Sequence, residues 1–430
     1  MMKAKQWLVV TSGVLAVTSG LVASAQQAKT EIVYWSMWNQ SEPEAIVVQK
    51  AVTAFEAANP TVKVNLNFIG RDIRKLAPAA LDSGKTIDVI ENDSGWLAEN
   101  AGKYLLPLEG YLNQPAVGVP GKSVRQTINK ALLEQYKVEG KIVSMPYQPF
   151  AVLFFYNKDH FQKAGILKEP TTWAQLRSDS DKLKKAGFEP ITTESDAFQD
   201  VILGYYVQRA SGGCDVLQSA LNDKTGKAWS GPVFTQMARD IAGLASSGYI
   251  AKGTAANKYP AGEQRVALGE VSMYLNGTWL PKEVKGTAGP NFRWGSFPFP
   301  TVEGGKGKVN DVMTGAQAIA LVKSSKVPKE AFNLVRYIVS KDAQTNMVND
   351  AGSPAAHTGV TWSGPIQEAG IAVGKARRAF GWACDIAKVS EVGYNIIIPA
   401  FGDLLVGKIS PDQYLERTVN ESAQYWASRK

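Results

Sequence analysis

The stretch Glu31–Glu44, EIVYWSMWNQSEPE, commits the start of this chain to a strand that runs directly into a helix. Ile32, Val33 and Tyr34 are β-branched or aromatic and favour an extended backbone. Ser41 and Glu44 have the spacing of a capping box, with Pro43 tolerated in the first turn. Between strand and helix lie Trp35, Met37 and Trp38, with Ser36, Asn39 and Gln40. In open α/β sheets, ligands bind outside the carboxyl ends of strands. Two indole faces beside an amide pair and a helix N-terminus suit a ligand with apolar faces and a hydroxylated edge, as a sugar ring has. Trp35, Trp38 and Asn39 are therefore candidate contacts; the alternative place for either indole is the core.

The pattern continues as an alternation. Val48, Ala51, Val52 and Phe55 follow a helical period, and Asn59-Pro60 stops it. Val62, Val64, Leu66 and Phe68 alternate with polar residues as a strand with one wet face. Arg74–Leu81 reads as a short helix, and Ile87–Ile90 as a buried strand. This β-α-β-α-β order implies an α/β layer with parallel strands. The last strand runs into Glu91-Asn92-Asp93-Ser94-Gly95-Trp96, a second acidic, amide-rich loop with a tryptophan. Asp93 can accept from adjacent hydroxyls and Trp96 can supply a face; equally, Asp93 can cap the helix that follows. Further on, Gly121-Lys122-Ser123 ends like a phosphate loop. Ala116 stands where the first glycine should be and Pro120 removes a donor, so nucleotide binding is rejected.

Composition narrows the function classes. The chain has 430 residues, 45% hydrophobic and 20% charged, enough for two globular domains. Its basic excess is spread out, without a Lys/Arg run interleaved with aromatics, which argues against nucleic acid. Two cysteines and two histidines, Cys214, Cys384, His160 and His357, make no metal motif and offer little for a His-based triad. No metal, no cofactor and no catalytic residue is expected.

Residues 1–25 read as a secretory signal peptide. Lys3 and Lys5 form the positive region, Trp7–Val22 the apolar stretch, and Ala23-Ser24-Ala25 the cleavage pattern. No cysteine follows at once, so a lipid anchor is not indicated, and the mature chain, with a net charge of +6, is expected in a periplasm. In that oxidising space Cys214 and Cys384 can pair or remain two thiols.

Lys141–Asn157, KIVSMPYQPFAVLFFYN, is the most strongly extended stretch. Pro146 and Pro149 are expected to break it into two segments, as in a hinge between domains. Tyr147 can line a cleft there or pack in the core. Thr172 and Gln175 have capping-box spacing. From these pieces the chain resembles the extracellular solute-binding proteins of ABC importers, in the large family that includes maltose-binding and other sugar-binding proteins. The resemblance is carried by Ile32–Trp38, Ile87–Leu108, Met145–Trp173 (MPYQPFAVLFFYNKDHFQKAGILKEPTTW), Met273–Leu280 (MYLNGTWL), Gly295–Thr301 and Thr314–Ser340.

The resemblance implies an α/β fold of two lobes, each a mixed, mostly parallel sheet flanked by helices, joined by a multi-segment hinge. Residues 26–146 and 311–350 would form the N-terminal lobe, and 147–310 with 351–430 the C-terminal lobe. It implies closure around ligand by hinge bending and presentation to a membrane permease. Asn276 and Trp279 fall on the family's NG.W element, whose tryptophan commonly stacks on a pyranose. Thr314 and Gly315 fall where the family has Gly-rich backbone at the cleft. Glu194 and Asp196 lie in an acidic loop after a strand and are further candidates, as is Trp382 in the tail. With Cys214 and Cys384 in one lobe, a disulfide gains weight.

The expected function is capture of a mono- or oligosaccharide by a monomeric, periplasmic binding protein, not an enzyme. The alternatives are a receptor for a peptide or polyamine and a secreted carbohydrate-active enzyme; the latter needs two convergent carboxylates that no spacing singles out. Which sugar, and its size and linkage, lie beyond the sequence.

Overall fold

The computed structural model describes residues 1–2 and 29–429; the expected signal peptide falls mostly outside the described residues. Strand β1 (Thr30–Ser36) pairs in parallel with β2 (Val62–Phe68) and β3 (Val89–Asp93). Helix α1 (Pro43–Ala58) and helix α2 (Ile73–Asp82) make the crossovers. The helix after β1 starts without the expected box. Its N-cap is Glu42, which makes no side-chain cap. Glu44 turns away from the helix end because it has a cation to meet elsewhere (below).

After β4 (Lys137–Val138) and β5 (Lys141–Ile142), a small hairpin, comes β6 (Met145–Asn157). The two prolines do not divide it: β6 runs unbroken through Pro146 and Pro149. Its next neighbours, β8 (Val271–Gly277) and β9 (Trp294–Phe297), join only from Val152 onward. Before that, one edge is open, so residues lacking an N–H are tolerated. A register shift opposite, between Gln317 and Ala318, absorbs the irregularity.

The other long strand is β10 (Asp311–Leu321). Its second half pairs antiparallel with β3 and its length pairs antiparallel with β6; β11 (Arg378–Phe380) pairs with its beginning. With β7 (Glu189–Thr192) beside β8, the described residues form one nine-stranded mixed sheet, ordered β2-β1-β3-β10-β6-β8-β7. Two strands thus carry one sheet from lobe to lobe, and their antiparallel pairing balances the parallel pairs at the two ends.

Apolar residues separate accordingly. Ile32, Tyr34, Val48, Phe55 and Val89 pack with Phe332 and Val335 of the helix Pro328–Ile338. Trp35, Ile73, Ile90 and Leu97 make a second cluster on the other face of the same sheet. The largest cluster holds Phe155, Trp229, Tyr205, Phe299 and Phe401. The helices Trp173–Lys185 and Pro411–Ala427 begin with complete capping boxes, on Thr172/Gln175 and Ser410/Gln413. Cys214 and Cys384 form a disulfide, which resolves the alternative left open by the sequence. Among the described residues no helix is long and apolar enough to cross a membrane, and no group of three His, Cys, Asp or Glu side chains is placed to hold a metal.

Candidate functional site

A cavity of about 570 Å³ lies between the two bodies, where β6 and β10 cross. Its first wall starts from the end of β1. Trp38 is nearly buried yet lines the cavity. Its indole N–H donates to the Tyr147 hydroxyl at 2.5 Å. Tyr147 donates in turn to the Glu91 carboxylate, and Tyr34 donates to the other Glu91 oxygen at 2.8 Å. Tyr34, Glu91 and Tyr147 come from β1, β3 and β6 of one sheet, with β10 between the last two, so the sheet fixes this relay. Burial pushes the Glu91 carboxyl up and both phenols well above their ordinary values. The Arg71 guanidinium stands 4.9 Å over the Trp38 ring and pairs with Glu42.

Next along this wall, Asp93 accepts from the Trp96 backbone N–H at 3.0 Å, so it caps its helix and still lines the cavity. Burial raises its carboxyl, and nearby Arg74 opposes the shift. Trp96, Glu99 and Tyr136 complete this side.

The opposite wall is aromatic. Trp279 and Trp382 stack with centroids 6.2 Å apart, and Phe150 meets both edge-on. Phe198 closes the group from behind. A Cβ on Gly277 would lie 2.2 Å from the Trp279 ring, so only glycine there lets the indole fold back over the backbone. The Trp382 indole donates to Asp200 at 2.7 Å, and Tyr394 donates to the same oxygen at 3.2 Å. Gln148 and Gln317, on the crossing strands, add amides to the floor.

Lys282 spans the two walls. It pairs with Glu44 of α1, whose side chain is 5% exposed, and Ser353 donates to the same oxygen at 2.6 Å. This is the partner that draws Glu44 from the helix end.

Of the residues singled out in sequence, the structure brings together Trp38, Asp93, Trp96, Trp279 and Trp382 on the cavity. The others lie elsewhere. Trp35 points to the opposite face from Tyr34 and is packed in the first-lobe core, with Lys85 over its ring at 4.8 Å. Asn39 is exposed outside the cleft, its backbone N–H bound to Glu42. Tyr147 is wholly buried beneath Trp38. Glu194 is buried, accepting from Gly262 N–H at 2.8 Å, and burial pushes it up to about 7. Asp196 is exposed and accepts from the Tyr259 N–H. Asn276 is buried and donates to Glu263 at 2.8 Å; burial and the neighbouring Glu283 push Glu263 up. Thr314 is buried and bonded to the Phe150 carbonyl. Gly315 lies against the Phe150 ring. Arg71, Arg74, Gln148, Phe150, Lys282 and Asp385 line the cavity without having been singled out. Their signal was weak: Arg71, Arg74 and Lys282 at short helices read as a solvated face, and Gln148 and Phe150 as part of an extended strand.

An α/β chain in two bodies, bridged by two strands of one sheet, with an aromatic and polar cavity at the crossing, defines a two-lobed binding protein. The comparisons agree. Residues 39–345 match the family of bacterial extracellular solute-binding proteins, and this chain belongs to it. A putative binding protein of Brucella abortus is 24% identical over 351 residues, covering 79% of this chain and 80% of the relative. The multiple sugar-binding protein of Streptococcus mutans is 25% identical over 363 residues, covering 81% and 82%. The solved structure of the sugar-binding protein MalE from Xanthomonas citri shares the fold with a TM-score of 0.72 at 20% identity, covering 93% of this chain and 98% of that one.

Proposed function

We propose that this chain is the substrate-binding component of an ABC importer, which captures a mono- or oligosaccharide in the cleft by hinge closure and delivers it to a membrane permease. The observation that carries the reading is the cavity itself: the Trp279–Trp382–Phe150 group faces Trp38, Asp93 and Trp96 across a space of ligand size. Flat aromatic faces take the apolar faces of a pyranose, and carboxylates and amides at their edges take hydroxyls. The S. mutans relative, named for binding sugars, supports the same class.

In this reading the ligand meets Trp38, Asp93, Trp96, Trp279 and Trp382, with Gln148, Gln317 and Asp385 as polar contacts. Residues 26–146 with most of 311–350 form one lobe, and 147–310 with 351–430 most of the other; where β6 and β10 pass between them, Tyr147 packs with the first core and Val312 and Met313 with the second. The chain is exported by its signal peptide, works as a periplasmic monomer without a lipid anchor, and catalyses nothing.

The test is a thermal-shift screen of Gln26–Lys430 against mono- and oligosaccharides, with amino acids, polyamines and peptides as controls. A sugar at about 100 times its dissociation constant adds about 2.7 kcal/mol of stability. A shift with one sugar series, the sugar recovered intact, is the expected result. A shift only with the controls removes the sugar assignment, and consumption of the sugar removes the non-enzyme reading.

A further inference from the structure

Trp382 reaches the cavity from a segment whose backbone is unlike the rest of the site. Ala383, Cys384 and Asp385 have φ of 47°, 55° and 58°, three consecutive left-handed residues without a glycine. L-residues enter that region singly and reluctantly, so a run of three must be held from outside. Three restraints meet on it. Cys384, the middle residue, is bonded to Cys214 at the start of the helix Asp215–Leu221. Gln218 of that helix donates its side-chain amide to the carbonyls of Cys384 and Asp385 at 2.7 and 3.0 Å. Gly204 of the buried helix Gln199–Ser211 lets the backbone in: a Cβ there would stand 2.6 Å from the Ala383 Cα. The residues displayed are Trp382 on one side of the turn and Asp385 and Lys388 on the other, all lining the cavity.

We propose that the Cys214–Cys384 bond and the Gln218 amide are the positioning elements of the second cleft wall, holding the left-handed turn that presents Trp382 and Asp385 to ligand. This rests on the cleft being the ligand site, and it makes ligand affinity depend on the disulfide, which acts as more than a staple of the fold. A staple that acts on the unfolded chain changes stability and leaves the folded turn as it was. A positioning bond changes the folded turn.

The experiment therefore reads the folded state without ligand. Hydrogen–deuterium exchange and acrylamide quenching are measured on the full mature chain, on Cys214→Ala/Cys384→Ala, and on Gln218→Ala with the disulfide intact. The Trp382 signal is isolated by subtracting Trp382→Phe in each background. The expected result is exchange faster by roughly tenfold or more in residues 381–389 of the double variant, with strands β1, β6 and β8 unchanged, as for a local opening. Trp382 becomes more quenchable, and Gln218→Ala gives the same signature to a smaller extent. Unchanged exchange and quenching at 381–389, in either variant, overturn the proposal, as does an increase spread evenly over the second lobe. Gln218→Ala decides the matter even if the double variant does not fold. Failure of the sugar screen leaves this result standing, and failure here leaves the sugar screen standing.

Discussion

Trp38 on the first wall and Trp382 on the second both show an indole to the same cavity, and both donate the indole N–H to a partner inside the protein. What supports them differs. Trp38 stands two residues beyond β1, and its relay through Tyr147 to Glu91 is set by strands of one sheet, with β10 between β3 and β6. Trp382 stands on a turn in no ladder, with Asp200, Gln218, Gly204 and Cys214 supplying from two helices what regular structure does not. The first wall owes its geometry to backbone pairing. The second sets Phe150 and Trp279 on or just beyond strands in the same way, but Trp382 is held by side chains and one covalent bond. Damage to the first wall should therefore appear as lost stability, and damage to the second as lost affinity with the fold intact.

The largest effect is expected on the aromatic wall. Trp279→Ala or Trp382→Ala removes burial and stacking together worth about 2–3 kcal/mol, so affinity for a sugar found in the screen should fall roughly 30- to 150-fold by titration calorimetry. The urea midpoint should hardly move for Trp279→Ala, whereas Trp382→Ala also takes a donor from buried Asp200 and should lose about 1 kcal/mol; a larger fall in either would erase the contrast. On the first wall, Tyr147→Phe leaves the Trp38 N–H and a Glu91 oxygen without their buried partner. Denaturant unfolding should show a loss of about 1–3 kcal/mol, while affinity changes less. The reverse ranking would break the comparison.

Lys282 tests whether the walls are held together. It is partly exposed, so its pair with Glu44 lies between the surface and buried cases. Lys282→Met should cost about 1 kcal/mol of closure, read as a severalfold loss of affinity and a larger radius of gyration by small-angle scattering without ligand. An unchanged radius would show that closure does not depend on this bridge.

The last contrast concerns two buried acids. Glu91 is ringed by donors, whereas Glu194 leaves one oxygen unpaired. Burial lifts Glu194 from its ordinary 4.5 to about 7. Between those values the folded chain holds the proton more tightly than the unfolded chain does. Its contribution to stability is therefore complete below pH 4.5 and is lost as pH rises through about 7. Glu194→Gln should flatten that slope in urea midpoints taken across the range, and a slope unchanged in the variant would assign it to another group.

The same contrast explains what could be read from the residues. β2 follows from period-two alternation, β1 and β3 from short β-branched, aromatic or apolar runs, and the capping box at Thr172 from spacing alone. Trp35 and Trp38 could not be separated, because what covers Trp35 is decided by how α2 docks, a long-range event with no local signature. Glu194, Asn276 and Thr314 sit near the cleft in sequence terms, yet their side chains are buried and bonded to partners inside the protein. Asp385 and Lys388 were invisible for the opposite reason: nothing in Trp-Ala-Cys-Asp announces a left-handed run, since no glycine marks it. Pro146 and Pro149 misled because the open edge that tolerates them is a property of strand order.

That strand order also sets a timetable. β3 completes its ladder with β10, so Asp93 waits for Gln317. A chain that folds as it emerges from the translocation pore would hold the outer edge of β3 bare until most of its length has crossed the membrane. Bare edges pair with whatever is near. The long wait places this protein among those whose yield on export should respond to chaperones that shield strand edges, and it makes the β3–β10 join the step at which the two lobes become one molecule.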